Sequence, residues 1–230
     1  MLGGLVALRL KDQMHLILGF SAGAVIAVAF FDLLPEAIDL AQTTYATSSI
    51  LALAALGFAA YLVLDRSIFF HGHGSEEDHS HDHTGGSRDS AGAGALSIHS
   101  FLDGIGIGLA FQVAPAVGII VAAAVLTHDF SDGINTVSIV LRHGGERKRA
   151  LKWLFVDAIA PVLGVIATLF FAVPPAQLGM LLALFAGFFL YIGATDLIPE
   201  SYHGHPVAWT TVATIAGMGT LYTIIQLAGA

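Results

Sequence analysis

The chain contains no cysteine, so disulfide bonds and thiolate metal ligands are excluded, and the redox state of its compartment stays open. Charge is also scarce: 11% of the 230 residues are charged, against roughly 25% in a typical soluble domain. The net charge of −8 gives no indication of nucleic-acid binding. Because 56% of the residues are hydrophobic and occur in long runs, the composition favours an all-α polytopic membrane protein over a soluble one.

Seven stretches are apolar and long enough to cross the hydrocarbon core of a bilayer, which takes about 20 helical residues. We predict these spans at residues 15–40, 50–70, 92–113, 116–141, 151–173, 178–199 and 207–228. Residues 1–10 are apolar but too short to span, and we interpret them as the end of a first helix that this sequence mostly lacks. We expect a single transmembrane domain over residues 1–230, with seven full spans and a partial first one.

One segment differs from the rest: residues 71–91 read HGHGSEEDHSHDHTGGSRDSA. The segment has no apolar periodicity and is rich in glycine, serine, acidic residues and histidine, so we predict a disordered loop. Two interpretations of its histidines stay open. The loop either collects or senses metal, or it is a solvated segment with adventitious metal affinity.

The basic residues indicate the orientation. All nine fall on one side of the membrane if the chain changes sides at each predicted span. The loops on the opposite side, residues 41–49, 112–116 and 174–177, contain none. By the positive-inside rule the basic side is cytoplasmic, which places the histidine-rich loop in the cytoplasm. A miscounted span would scatter the charges over both sides, so their distribution also supports the count.

Two polar motifs interrupt the third and fourth spans: His99-Ser-Phe-Leu-Asp103-Gly and His128-Asp-Phe-Ser-Asp132-Gly. In each of these His-Asp motifs the two side chains stand four residues apart, so they share one face of a helix. A charged residue at the bilayer centre costs on the order of 2.5–3.5 kcal/mol. The spans hold too few basic residues to neutralise the acids, so a bound cation is the partner we expect.

Two imidazoles and two carboxylates suit a borderline divalent metal: zinc first, with iron, manganese and cadmium as alternatives. We predict that these four side chains enclose one ion tightly. Asp129 points about 100° around the helix from His128, so we expect it to face a second, weak site in a neighbouring volume. The predicted metal ligands are His99, Asp103, His128, Asp132, Asp129, Ser100 and Asp157. The alternative is that the motifs only hydrogen-bond between helices.

A second repeat links the first and sixth spans, where Asp32-Leu-Leu-Pro-Glu36 is nearly copied as Asp196-Leu-Ile-Pro-Glu200. The two spans cross the membrane in opposite directions, and so do the two spans that carry the His-Asp motifs. Both pairs therefore indicate an inverted-topology repeat, an architecture of many secondary transporters. For the first pair the alternative is that proline recurs near helix ends.

With these motifs the chain resembles the ZIP (Zrt-/Irt-like) family of divalent-metal transporters. The His-Asp motifs occupy the places of that family's paired metal-binding motifs on its fourth and fifth helices. Asp103 and Asp132 stand where the family usually has glutamate, and Leu102 and Ser131 stand where it often has proline. The resemblance implies an eight-helix bundle with inverted symmetry and a protein that is not an enzyme.

The resemblance also implies transport of divalent ions, zinc first, toward the cytoplasm by alternating access, in a bacterial or archaeal plasma membrane. Zn²⁺ is then the transported substrate, and the partners are the lipid bilayer, the metal ion and, as a further candidate, a second copy in a homodimer. Two other classes stay open: an intramembrane metal-dependent hydrolase, and a metal sensor without transport. The sequence contains no His-Glu-x-x-His motif, which argues against the hydrolase.

Overall fold

The computed structural model describes residues 14–72, 85–142, 146–202 and 207–228. Seven long helices account for nearly all of them: α1 Met14–Ala41, α2 Thr47–Gly72, α3 Gly85–Val113, α4 Pro115–Arg142, α5 Arg147–Thr168, α6 Pro175–Ser201 and α7 Val207–Ala228. Each is long and apolar enough to cross a membrane. The prediction of an all-α polytopic membrane protein is thereby confirmed.

The predicted boundaries differ most from the observed helices at α5 and at the start of α3. Helix α5 covers Arg147–Thr168 rather than residues 151–173, because Glu146 is extended and takes the N-cap position, and a turn ends the helix before Pro174. Helix α3 begins at Gly85, so residues 85–91 of the predicted 71–91 loop are helical. An α-helix satisfies its backbone amides and carbonyls internally, so this turn forms without apolar periodicity. Residues 1–10 and 73–84 lie outside the described residues.

Helices α1 and α6 each widen into a π-helical turn just before a proline, which the sequence alone did not predict. The wide turns cover Ala29–Leu33, before Pro35, and Ile192–Leu197, before Pro199. A proline within a helix removes one hydrogen bond and clashes with the carbonyl four residues earlier. In each wide turn the amide just before the proline, that of Leu34 or Ile198, bonds to the carbonyl five residues back, and this widens the helix beside the proline. The distortion thus repeats together with the Asp-x-x-Pro-Glu sequence.

The inverted repeat is also visible in the helix packing, where α1 lies along α7 and α2 lies along α6. At Gly23 of α1 the backbone of Thr214 approaches so closely that no β-carbon fits, and at Gly187 of α6 the backbone of Ala54 does the same. Each glycine stands nine residues before the aspartate of its Asp-x-x-Pro-Glu copy. The reciprocal contacts are Gly217 against Phe20 and Gly57 against Leu184. Matching glycines at matching positions show that the two helix pairs are structural equivalents.

These contacts predict opposite outcomes for two glycines in α7. Gly217→Ala pushes a methyl group into the Phe20 backbone, so we expect the free energy of unfolding to fall by about 1–3 kcal/mol. Gly219→Ala is the matched control, since a β-carbon there meets nothing within 4 Å and alanine favours a helix by up to about 1 kcal/mol. Thermal unfolding in detergent, followed by circular dichroism, compares the two. Equal unfolding temperatures would contradict the packing described here.

Candidate metal centre

The two His-Asp motifs meet because α3 and α4 pack side by side. His99 Nε2 lies 3.2 Å from Asp103 Oδ2, one turn along α3, and His128 Nε2 on α4 lies 3.2 Å from the same oxygen. His99 Nε2 also lies 3.4 Å from Asp132 Oδ2. The structure therefore brings the four residues predicted as primary ligands into one cluster, with the Asp103 carboxylate between the two imidazoles.

Burial makes this cluster a strong candidate for a cation. His99, Asp103 and His128 are at most 6% exposed. Asp129 Oδ1 is buried and accepts no hydrogen bond from the described part of the chain. A buried polar atom without a partner costs about 1–3 kcal/mol, and more when it is charged. A bound cation supplies the missing partner, so the donor set fits a metal ion by its chemistry as well as by its spacing.

The orientation of His128 also suits a metal. Its Nδ1 lies 3.2 Å from the Ala124 carbonyl oxygen, one turn earlier in α4. A carbonyl oxygen only accepts hydrogen bonds, so Nδ1 carries a proton, and whenever the ring is neutral Nε2 is the nitrogen with the lone pair. The helix itself thus fixes the nitrogen that faces the cluster.

Two overlapping groups of three residues have ligand atoms within 4.8 Å of one another. One is His99, His128 and Asp132, and the other is Asp103, His128 and Asp129. Zinc lies about 2.0–2.2 Å from nitrogen and oxygen ligands, so either group needs only a small contraction to hold one ion. Asp129, which we predicted to face a second, weak site, therefore has a carboxylate oxygen within 4.8 Å of ligand atoms of Asp103 and His128.

The remaining predicted ligands, Ser100 and Asp157, are paired with each other. Ser100 Oγ donates a hydrogen bond of 3.0 Å to Asp157 Oδ1, and both residues are buried. Their helices, α3 and α5, touch through backbone: Gly104 meets the Pro161 carbonyl, and Gly164 meets the Phe101 carbonyl. These two glycines bring Asp157 to the edge of the cluster.

One residue of the centre escaped the sequence analysis. Tyr61 of α2 places its hydroxyl oxygen 2.5 Å from Nδ1 of His99, and only 8% of the residue is exposed. A tyrosine within an apolar span does signal a buried hydroxyl that needs a partner. The sequence does not say which partner, because the contact joins residues 38 positions apart.

Comparison with known proteins places this geometry in a family. The family model described as ZIP Zinc transporter matches residues 93–225, which is more than half of the chain and includes both His-Asp motifs. The chain belongs to the ZIP family. The resemblance inferred from the motifs is thereby confirmed.

Relatives of this ZIP chain agree with the assignment. The zinc transporter ZupT of Corynebacterium aurimucosum is 28% identical over 249 residues, which cover 98% of this chain and 91% of the relative. The zinc transporter zipt-7.2 of Caenorhabditis elegans is 32% identical over 107 residues, or 44% of this chain and 23% of the relative. Human ZIP6 is 29% identical over 107 residues, or 46% of this chain and 14% of the relative.

Two of the differences from the pattern that these motifs resemble bear on helix geometry. Leu102 and Ser131 stand where that pattern often has proline, and α3 and α4 run as uninterrupted α-helices through both His-Asp motifs. Backbone amides at both positions keep the hydrogen bonds that proline would remove. The side chains of each motif therefore keep the regular spacing of an α-helix.

Proposed function

We propose that this ZIP protein transports divalent transition-metal ions, zinc first, across the membrane toward the cytoplasm by alternating access. The observation that carries the proposal is the cluster of two imidazoles and two carboxylates, with donor atoms 3.2–3.4 Å apart, within a bundle of membrane-spanning helices. Four protein donors of these types suit zinc, and iron, manganese and cadmium accept the same set. Membership of the ZIP family supports transport over the hydrolase and the sensor.

The inverted repeat supports alternating access. In transporters built from inverted repeats, the two halves exchange conformations around a site near the midplane. Here the repeat appears in the sequence copies, in the π-helical turns and in the paired glycine contacts. A buried cluster between α3 and α4 releases an ion only if neighbouring helices move or water enters. We expect the two equivalent helix pairs, α1 with α7 and α2 with α6, to move relative to the cluster.

A cavity at the end that we take as external supports an entrance for cations on that side. It has a volume of about 380 Å³ and is lined in part by Asp32, Glu36, Ala116 and Ile225. Asp32 is 8% exposed, and its Oδ2 accepts no hydrogen bond from the residues that the structure describes. Two carboxylates that line the same cavity attract cations. We propose that ions approach the centre from this side.

The orientation and setting are part of the proposal. All nine basic residues fall on the side that we take as cytoplasmic, together with the histidine-rich segment. We propose a bacterial or archaeal plasma membrane as the location. We also propose that the protein forms a homodimer. Cross-linking in the membrane tests this.

Zinc flux into proteoliposomes tests the function. Vesicles that contain the full chain and a trapped zinc-sensitive dye should fill with zinc faster than protein-free vesicles. Vesicles with the Asp103→Asn variant should not, because Asp103 contacts both histidines of the cluster. Competition by iron, manganese or cadmium ranks the substrates. Saturable zinc binding without flux of any of these ions would favour a sensor and overturn the transport proposal.

A further inference from the structure

The two histidines of the centre are held at Nδ1 by different kinds of partner. His128 faces the Ala124 carbonyl, which can only accept a hydrogen bond. His99 faces the Tyr61 hydroxyl, which can donate or accept. The hydroxyl belongs to another helix, α2, whereas the carbonyl belongs to the same helix as His128. His128 is therefore restricted to one tautomer, and His99 is not.

The tautomer of His99 matters because its other nitrogen faces the cluster. Nε2 lies 3.2 Å from Asp103 Oδ2 and 3.4 Å from Asp132 Oδ2. A neutral imidazole that protonates Nε2 donates to these carboxylates, and Nδ1 then accepts from Tyr61. An imidazole that binds a metal through Nε2 must carry its proton on Nδ1, and Tyr61 must then accept. One hydroxyl satisfies both arrangements by rotating its proton.

We propose that Tyr61 is a positioning residue of the metal centre: its hydroxyl accepts the Nδ1 proton of His99 when a metal ion binds at Nε2, and donates to Nδ1 when the ion leaves. This proposal rests on the proposed function, since it assumes that the cluster binds the transported ion. It makes His99 the exchangeable ligand of the pair, and His128 the fixed one.

Packing holds Tyr61 in place for this task. Its ring contacts His99 edge to face, with ring centroids 5.5 Å apart, and also packs against Tyr191 at 5.1 Å and Phe188 at 5.7 Å. Both of the latter rings belong to α6, the helix that packs along α2. The hydroxyl is thus held by the α2–α6 pair while its partner His99 belongs to α3. A relative movement of these helices would shift the hydrogen bond and with it the His99 ring.

Tyr61→Phe tests the proposal because it removes the hydroxyl and keeps the ring. We expect zinc affinity of the full chain to fall by about 10–100-fold, the usual effect of losing the hydrogen-bond partner of a metal-binding histidine. Tyr191→Phe is the matched control: the neighbouring ring loses a hydroxyl that donates to Asp65 rather than to a histidine. Its zinc affinity should stay within about twofold of the wild type. Equal losses in both variants would overturn the proposal, and so would an unchanged affinity of Tyr61→Phe.

A second measurement needs no change at Tyr61. Nitrogen NMR of the zinc-loaded wild type with labelled histidine distinguishes protonated from unprotonated ring nitrogens, and the signals missing in His99→Ala identify His99. We expect its Nδ1 to be protonated with zinc bound; an unprotonated Nδ1 would overturn the proposal even if Tyr61→Phe does not fold. If His99→Ala loses no zinc site at all, the assignment of the metal centre fails instead.

Discussion

Asp103→Asn should abolish high-affinity zinc binding. Asp103 Oδ2 lies 3.2 Å from Nε2 of both His99 and His128, so one substitution removes the negative charge shared by the two imidazoles. Asparagine has nearly the same size, which leaves the packing of α3 against α4 intact. Breaking a buried charge pair costs about 3–5 kcal/mol, and a comparable loss of binding energy weakens zinc affinity by a few hundredfold or more. Isothermal titration in detergent measures it.

The matched control is Asp39→Asn, which changes the same chemical group on an exposed position of α1. We expect its affinity for zinc to equal that of the wild type. Any zinc bound by the histidine-rich segment is common to the wild type and both variants, so the difference between the titrations reports on the centre. Retained high-affinity binding in Asp103→Asn would refute the ligand assignment, even if zinc flux were lost.

The helices of this protein could be predicted from sequence because hydrophobic length is nearly sufficient to define a span. The predicted spans at residues 92–113 and 116–141 already placed the two His-Asp motifs on different helices. Their regular four-residue spacing placed histidine and aspartate on one helix face, and the structure brings both faces together. Local periodicity was enough for this part of the centre because each motif lies within a single helix.

Contacts between distant helices could not be predicted in this way. The hydrogen bond from Ser100 to Asp157 depends on how closely α3 and α5 approach, which Gly104 and Gly164 decide. The proximity of the Asp129 carboxylate to Asp103 likewise depends on how α3 and α4 lie relative to each other. The π-helical turns result from a balance between proline and its neighbours that a span prediction ignores. These features need relative helix positions, which a hydropathy pattern does not contain.

Zinc titration of the wild type should give one tight ion at the centre, and the geometry explains why there are not two. Both groups of three potential ligands include His128. Its Nδ1 faces the Ala124 carbonyl, so only Nε2 is free to bind, and one lone pair binds one ion. Once that ion is bound, a second one has mainly Asp129 and Asp157 as charged ligands, and Asp157 already accepts a hydrogen bond.

The experiment requires a chain in which the histidines between residues 71 and 83 are replaced by alanine, so that they do not add binding sites of their own. We expect a stoichiometry of one tight ion, with any second ion weaker by at least about a hundredfold, since two carboxylates without imidazole make a poor zinc site. Asp129→Ala should keep the tight ion, because His99, His128, Asp103 and Asp132 remain, yet slow zinc flux several-fold if the second position lies on the path of the ion. Two equally tight ions would show that the ligands divide between separate sites, and loss of the tight ion in Asp129→Ala would make Asp129 a primary ligand.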